Sequence, residues 1–546
     1  MAPAMRWTAL AAAGTFLLRI YSKDQSAGRL VGAFFGLWAV QFAFWFVYTT
    51  FLYPFLLSPL RGLPMPKQSH WLFGQGPAIL RESTGKPLKR WLAEVEHDGL
   101  LRYFWFFNRE RVMVFSPKAI SEVLVTNSYA FQKPPSMIGS LARITGYGVL
   151  LAEGQEHKVQ RRNLMPAFSF RHIKDLYPLF WSKTREVVRE MTAAGGDEKG
   201  SIEIDVVEWA SRCTLDIIGV AGLGYDFGAT QNSDNPLVQK YRTVFTPSAS
   251  GRMLLLLSAF LPRWLVENLP MERNREFKVA TSTIRQACKD LIQEKKVKLA
   301  NKELQDVDIL SIALESGQFS DENLEDQMMT FLAAGHETTA TAMTWALYLL
   351  SKHQDVQQKL RDEIRANLPG MDDDVAAISS LDIDRLPYLN GVCNEVLRFY
   401  SPVPQTVREA VHDTTLAGQP IPRGTKVMVS PWATNKDPAL WGGDAAEFNP
   451  ERWIDTLESG QRVANNHGGA STNYAFLTFL HGPRSCIGAS FAKAEFACLL
   501  AGWVGRFSFE MKDKELLDED KLNIRSGIVA RPAGGVQVLA TVVPGY

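Results

Sequence analysis

From Leu30 to Leu60 the chain reads LVGAFFGLWAVQFAFWFVYTTFLYPFLLSPL, without one charged side chain. The 24 residues from Leu30 to Tyr53 make a helix of roughly 36 Å at ~1.5 Å per residue, against about 30 Å of bilayer hydrocarbon. Tyr48, Phe51 and Tyr53 near its end suit a membrane interface. The run predicts a transmembrane helix over about 30–53, with residues 1–60 as a membrane anchor. An earlier apolar stretch, Trp7 to Leu18, lies between Arg6 and Arg19 and is short for a span. It resembles a signal h-region or an interfacial helix more than a second crossing. Arg19, Lys23 and Arg29 precede the long run and Arg61 and Lys67 follow it, so the positive-inside rule leaves orientation open. Pro54, Pro59, Pro64 and Pro66 then predict a stiff linker in which neither helix nor central strand continues.

The remainder is unlike this opening. With 59 Lys+Arg against 58 Asp+Glu the net charge is +1, which gives no general attraction to nucleic acid. The five cysteines, Cys213, Cys288, Cys393, Cys486 and Cys498, are scattered and never form CxxC. A disulfide scaffold, a zinc ribbon and an iron–sulfur cluster are therefore disfavoured. No Asn-x-Ser/Thr acceptor occurs, in keeping with a reducing, cytosol-facing location. No long Ser/Gly tract or fixed-period repeat interrupts residues 61–546, which read as one domain.

Apolar residues recur every three or four positions in Leu176–Met191 and Asp355–Leu368, whereas strand-like stretches are short, near Val112, near Val427 and at the carboxyl end. A mainly α fold with a minor β-sheet follows. Ser320 can cap a helix whose first turn holds Asp321 and Glu322 and whose pattern runs to about Lys352. In its middle is AGHETT, Ala334–Thr339. A mid-helix glycine costs about 1 kcal/mol relative to alanine, so Gly335 needs a reason. One is close approach of a flat partner to the face of Phe331, Ala334, Gly335, Thr338 and Ala342, with the acid Glu337 beside it. The other is a tight helix crossing, with Thr338 bonded back to a carbonyl.

Three further stretches carry chemistry. EVLR sets Glu395 and Arg398 one helical turn apart, FNPERW adds Arg452, and FLHGPRSCIG holds Cys486 between Gly482 and Gly488 with Arg484 two places before it. Gly488 opens an amphipathic helix, so the sulfur sits at a helix amino terminus, where amide donors favour thiolate. The two glycines allow unusual backbone angles, and Arg484 suits a carboxylate. A thiolate beside a carboxylate-binding arginine suits a haem, whose iron accepts sulfur and whose propionates accept guanidinium.

In this order AGHETT, EVLR, FNPERW and FLHGPRSCIG resemble the signature series of the cytochrome P450 superfamily, over roughly Pro64 to the carboxyl terminus. The anchor and its proline-rich linker are most like those of microsomal, fungal members. The resemblance implies the cytochrome P450 fold and a haem b cofactor, with Cys486 as the axial ligand of the iron. Phe479 and Gly488 then shape the ligand loop, and Arg484 and Arg408 reach propionates. GQEHKVQRR puts His157 and Arg161 where the family commonly has Trp-x-x-x-Arg, so both become cofactor contacts. Glu395, Arg398 and Arg452 become a buried ion triad. Thr338 and Glu337 match the family's catalytic alcohol and acid, which pass protons to bound dioxygen. Phe331, Ala334, Val403, Pro404, Val407, Ile528 and Val529 match substrate-facing positions, nearly all apolar.

The chain has no Gly-x-Gly-x-x-Gly after a strand. Electrons are therefore expected from a separate NADPH–cytochrome P450 reductase, with cytochrome b5 as a further partner. That partner places the catalytic domain on the cytosolic face of the endoplasmic reticulum, behind a single-pass anchor. The expected activity is insertion of one atom of O2 into a lipophilic small molecule, by hydroxylation or epoxidation, in secondary metabolism. A haem-thiolate isomerase or dehydratase needing neither O2 nor reductase is the alternative, and the Glu337–Thr338 pair argues against it. Gly251–Leu265, a short apolar stretch bounded by arginines, is read as a second contact with the membrane interface.

Overall fold

The computed structural model describes residues 3–21, 26–67, 69–195, 201–232, 234–245, 249–258, 261, 263–304, 308–373 and 377–546. Two helices come first, α1 (Pro3–Tyr21) and α2 (Ala27–Val47). The helices that build the site are α3 (Gly154–Leu164), α4 (Tyr177–Ala194), α5 (Val206–Ile218), α6 (Glu272–Ala300), α7 (Asp321–Lys352), α8 (Pro387–Phe399) and α9 (Ala489–Arg506).

α7 is the axle of the domain. Its start is fixed where the sequence predicts, with Ser320 Oγ accepting from the Asn323 amide at 3.2 Å and Asp321 and Glu322 in the first turn. Those acids complement the helix dipole. Residues Trp345 to Leu350 in its carboxyl half are fully buried, and along its length the helix packs against α5, α6, α8 and α9.

The sheet content is minor. Strands β1 (Leu100–Phe104), β2 (Glu110–Val114), β3 (Phe131–Gln132), β4 (Thr406–Ala410) and β5 (Lys426–Val429) form one sheet in the order β1-β2-β5-β4-β3. Only the β2–β5 pair is parallel. Ile202–Asp205, Gln537–Val542 and Phe507–Met511 make a second, antiparallel sheet. The expected strands near Val112, near Val427 and at the carboxyl end are all present.

The proline-rich segment departs from expectation. α2 runs on through Tyr48–Leu57 as wider, π-helical turns with Pro54 inside them, so the uninterrupted helix spans Ala27–Leu57. Proline has no N–H to donate, and the structure supplies partners from elsewhere. Thr50 O, the carbonyl that an N–H at position 54 would reach in an α-helix, accepts from Asn108 Nδ2 at 3.2 Å. Pro54 O accepts from Arg102 Nη2 at 2.7 Å, and Arg102 is itself held by Glu110 at 3.0 Å. Helix therefore continues where a linker was expected, because Asn108 and Arg102 cap it from the side. The 60/61 boundary also falls inside packed structure, since Leu60 is 1% exposed and belongs to the cluster of Val112, Val114, Val427 and Val429. Among the described residues, Ala27–Leu57 is the one helix long and apolar enough to cross a membrane. Gly251–Leu265 lies partly outside the described residues.

Candidate active site: a cysteine beside a cationic cradle

The loop before α9 is shaped by short-range geometry. The Cys486 amide donates to Phe479 O at 2.8 Å, closing the loop on itself. Gly482 has φ +74°, and a Cβ there would lie 2.2 Å from Leu124 O, so glycine is required both by conformation and by space. Gly488 has an ordinary φ of −90° and only a loose neighbour, the Phe168 ring at 3.6 Å. The expectation of unusual backbone there is corrected, and its role is to begin α9, where Gly488 O accepts from the Ala492 amide. Cys486 is the only exposed cysteine of the five. Although the residue is exposed, desolvation by the surrounding protein pushes its thiol up, while the Gly488 amide and the Arg161 guanidinium favour thiolate.

Around this loop the fold gathers cations from distant parts of the sequence. Arg484, buried, donates Nη1 to Phe131 O at 3.0 Å and is ion-paired with Glu153, while its Nε has no hydrogen-bond partner among the described residues. Arg408 on β4 is buried, with Nη1 on Thr406 Oγ1 (2.7 Å) and Val407 O (3.0 Å). Burial, and then Arg484 nearby, lowers Arg408 to about 10. Lys133 is lowered to about 7 by burial and by Arg408 and Arg484, with Glu153 opposing. His157, its Nδ1 3.1 Å from the Tyr129 hydroxyl, is lowered to about 4 by burial and by Arg484, Lys133 and Arg161. Arg161 donates to Ser485 O at 2.6 Å, bracing the residue just before Cys486.

Arg484, Lys133 and Arg408 thus share one carboxylate, Glu153, and with His157 and Arg161 beside them five permanent or potential cations are gathered here. Such a cradle is built for additional anionic oxygens. Haem fits these residues: the cysteine sulfur is available to a metal and the cationic cluster suits two propionates. Lys133, Tyr129 and Glu153 were not singled out in the sequence, since nothing local distinguishes them.

Glu395, Arg398 and Arg452 lie together in the structure. Arg398 Nε and Nη2 donate to Glu395 at 2.7 Å each, and Arg452 Nε reaches Glu395 Oε1 at 3.2 Å. Trp453 Nε1 and the Asn449 amide complete the carboxylate shell at 2.9 and 2.8 Å. The remaining N–H groups of Arg398 go to the carbonyls of Asn435, Ala445 and Glu447. Asn435, in turn, bonds the Leu477 amide and the Thr478 hydroxyl. The network therefore braces the segment that leads into the cysteine loop.

On α7, Gly335 has the second of the two reasons weighed above. A Cβ at Gly335 would lie 2.7 Å from Ile218 Cγ1, so the glycine permits a tight crossing of α5. Thr338 Oγ1 donates to Ala334 O at 2.8 Å. The same level of α7 also opens. Leu332, His336, Glu337 and Thr339 are buried, yet Ala334 is exposed and Thr338 half-buried. Phe168 links this opening to the cysteine loop, its ring lying 5.7 Å from that of Phe331 and against Gly488. Glu337 sits 3.7 Å from Arg531, and burial raises its carboxyl while Arg531 opposes the rise.

Arg531 belongs to the hairpin Ile524–Ser526/Ala530–Pro532. Ala530 bonds Pro402 O (2.9 Å) and accepts from Trp345 Nε1 (2.9 Å). The fold thereby draws buried Val529, half-buried Val403 and buried Pro404 toward α7, while Ile528 is exposed at the hairpin tip. Val407 instead packs against the cluster of Leu101, Tyr103, Met113 and Met428.

An available cysteine at a helix start, a cationic cradle and an acid–alcohol pair on a central helix define a haem-thiolate protein. The family described as Cytochrome P450 matches residues 64–539. The chain is 47% identical over 509 residues to the cytochrome P450 monooxygenase sphH of Aspergillus fumigatus, covering 92% of this chain and 91% of that one. It is 44% identical over 536 residues to the cytochrome P450 monooxygenase FUM15 of Gibberella moniliformis, covering 90% of each. To the cytochrome P450 monooxygenase buaD of Petromyces alliaceus it is 39% identical, over 95% of this chain and 94% of that one. The chain belongs to the cytochrome P450 family and is a monooxygenase of that family.

Proposed function

We propose that this monooxygenase is anchored in the endoplasmic reticulum by Ala27–Leu57, with its catalytic domain in the cytosol, and oxidises a lipophilic small molecule of fungal secondary metabolism. NADPH–cytochrome P450 reductase supplies two electrons, with cytochrome b5 as an additional donor. One oxygen atom of O2 enters a C–H or C=C bond and the other leaves as water, with two protons consumed. Haem b would be held by Cys486 and by the cationic residues Arg484, Arg408, Lys133, Arg161 and His157, and would supply the oxygen-activating chemistry.

The observation that carries this reading is the pairing of Glu337 and Thr338 at the one level where α7 opens. Glu337, raised by burial, holds a proton more readily than an exposed carboxylate, and Arg531 keeps its charged form accessible. A group with both states in reach can pass protons inward. Thr338, now bonded to Ala334 O, would be free to turn its hydroxyl to a water in the opening. Phe331, Ala334, Val403, Pro404 and Val529 present carbon to a ligand, which favours apolar substrates.

The test is Thr338→Ala, assayed for product, hydrogen peroxide and NADPH together with reductase present. NADPH use should continue while the fraction of electrons reaching product falls and peroxide rises. Unchanged coupling would remove Thr338 from proton transfer. Product formation without NADPH or reductase would favour an isomerase or dehydratase.

A further inference from the structure

We propose that α1 also crosses the bilayer, so that α1 and α2 form an antiparallel transmembrane hairpin whose two outer ends lie on the side of the catalytic domain. This goes beyond a single-pass anchor and rests on α2 spanning the membrane.

The first observation is register. The Trp7 ring lies 5.1 Å from Trp45, 5.8 Å from Trp38 and 6.1 Å from Phe42. Seven residues later Gly14 meets Leu37, so closely that a Cβ on Gly14 would be 2.8 Å from Leu37 Cδ1. Advancing along α1 therefore means retreating along α2, and the helices run side by side. A helix lying flat in the interface would cross a spanning helix at one level only. Here contact extends from Trp45 down to Leu37, deep within the uncharged run. Whatever depth that part of α2 occupies, α1 occupies too.

The second observation is length and chemistry. α1 has 19 residues, about 28 Å at ~1.5 Å per residue, against about 27 Å of hydrocarbon in the endoplasmic reticulum bilayer. It has the length but not the apolar character of a span, which among the described residues Ala27–Leu57 has alone, so its crossing depends on its pairing with α2. Trp7–Leu18 carries no charge, and Arg6 and Arg19 stand near the two ends, where long side chains can extend to the headgroups. The polar groups within are satisfied by backbone in part, Gln41 Oε1 having no hydrogen-bond partner among the described residues. Thr15 Oγ1 donates to Ala11 O at 2.8 Å, and Gln41 Nε2 to Leu37 O at 3.2 Å. Small residues line the contact, with Ala11 fully buried, as close helix packing in lipid favours.

The third observation is what remains uncovered. Leu10, Phe16, Leu17, Ile20, Phe35 and Phe44 are each more than half exposed on the outside of the pair. An apolar surface around a paired-helix unit of bilayer length is a surface for lipid acyl chains. Trp7, level with Trp45, then lies toward the end from which the helix continues to its dock on Arg102 and Asn108. That places the amino terminus in the cytosol.

The experiment uses the full chain with an epitope tag at the amino terminus, and separately with a long flexible insert between Lys23 and Asp24 carrying an Asn-x-Ser/Thr acceptor. The chain has no acceptor of its own, so any glycan reports the insert. In sealed microsomes, added protease should remove the tag without detergent, and the insert should be glycosylated. A protected tag overturns the hairpin in favour of a single pass with α1 in the lumen. An accessible tag with an unmodified insert also overturns it, placing both helices on the cytosolic surface. Release of the whole protein by alkaline carbonate would mean instead that α2 itself does not span, which separates failure of the anchor from failure of the hairpin.

Discussion

Glu495 on α9 is fully buried, and neither carboxyl oxygen has a hydrogen-bond partner among the described residues. The Thr339 hydroxyl of α7 faces it without closing a bond and is likewise unpartnered. Burial pushes this carboxyl up to about 8, whereas in the unfolded chain it titrates near 4.3. Between those values the folded protein keeps a proton that the unfolded chain has released, so stability must fall as pH rises through this window. The slope is about 1.4 kcal/mol per pH unit, or roughly 3 kcal/mol between pH 5.5 and 7.5. Glu495→Gln keeps the shape and removes the titration, so any packing difference is constant with pH. Urea unfolding of the haem-loaded protein, followed by fluorescence of the buried Trp181, Trp345 and Trp503, reads the effect at several pH values. The variant should gain on the wild type by about 3 kcal/mol from pH 5.5 to 7.5, with little further change above pH 8. Midpoints that run parallel across the range would refute the argument, because Glu495 would then ionise normally inside the fold.

Cys486→Ser should abolish the far-red-shifted Soret band of the reduced, carbon monoxide-bound protein, and persistence of that band would place the axial ligand elsewhere. Lys133→Met removes one cation from the cradle. Transfer of haem to an excess of a haem-free acceptor globin should become roughly tenfold to a hundredfold faster, the worth of one charge-assisted hydrogen bond; an unchanged rate would take Lys133 out of the cofactor site. Gly335→Val should destabilise by about 1–3 kcal/mol through crowding of Ile218. Ile218→Ala in the same chain should recover part of that loss, and strict additivity of the two changes would show that the crossing is not the reason for the glycine.

The parts of the molecule that could be read from sequence are those whose cause is local. Ser320 and its acidic first turn announce the start of α7 three residues at a time, and the Glu395–Arg398 spacing needs only one helical turn. The cysteine loop carries its own requirement at Gly482. What could not be read depends on partners far along the chain. Lys133 is an ordinary lysine until β3 brings it beside Arg408 and Arg484. Asn435 gains its role only because Arg398 and Leu477 meet on either side of it. Pro54 is a helix breaker by local rules, and only Asn108 and Arg102, more than forty residues later, make it tolerable. Gly335 shows the limit most plainly, because a flat partner and a crossing helix demand the same absence of a side chain.

The two buried charge clusters near the cysteine loop have opposite balances, and the contrast has a physical consequence. Around Glu395 every lone pair and every Arg398 N–H has a partner, so the network is closed and resists rearrangement. In the cradle the lowered values of Lys133, Arg408 and His157 record burial first and then repulsion among neighbouring cations, which Glu153 opposes only at Lys133 and Arg408. A ligand bearing two carboxylates relieves that repulsion only in the folded state, since the cations are dispersed when the chain unfolds. Its binding energy therefore adds to folding stability by mass action. The rigid triad on one side keeps the sulfur in register, while the unbalanced cradle on the other makes the loop's final order depend on its cofactor.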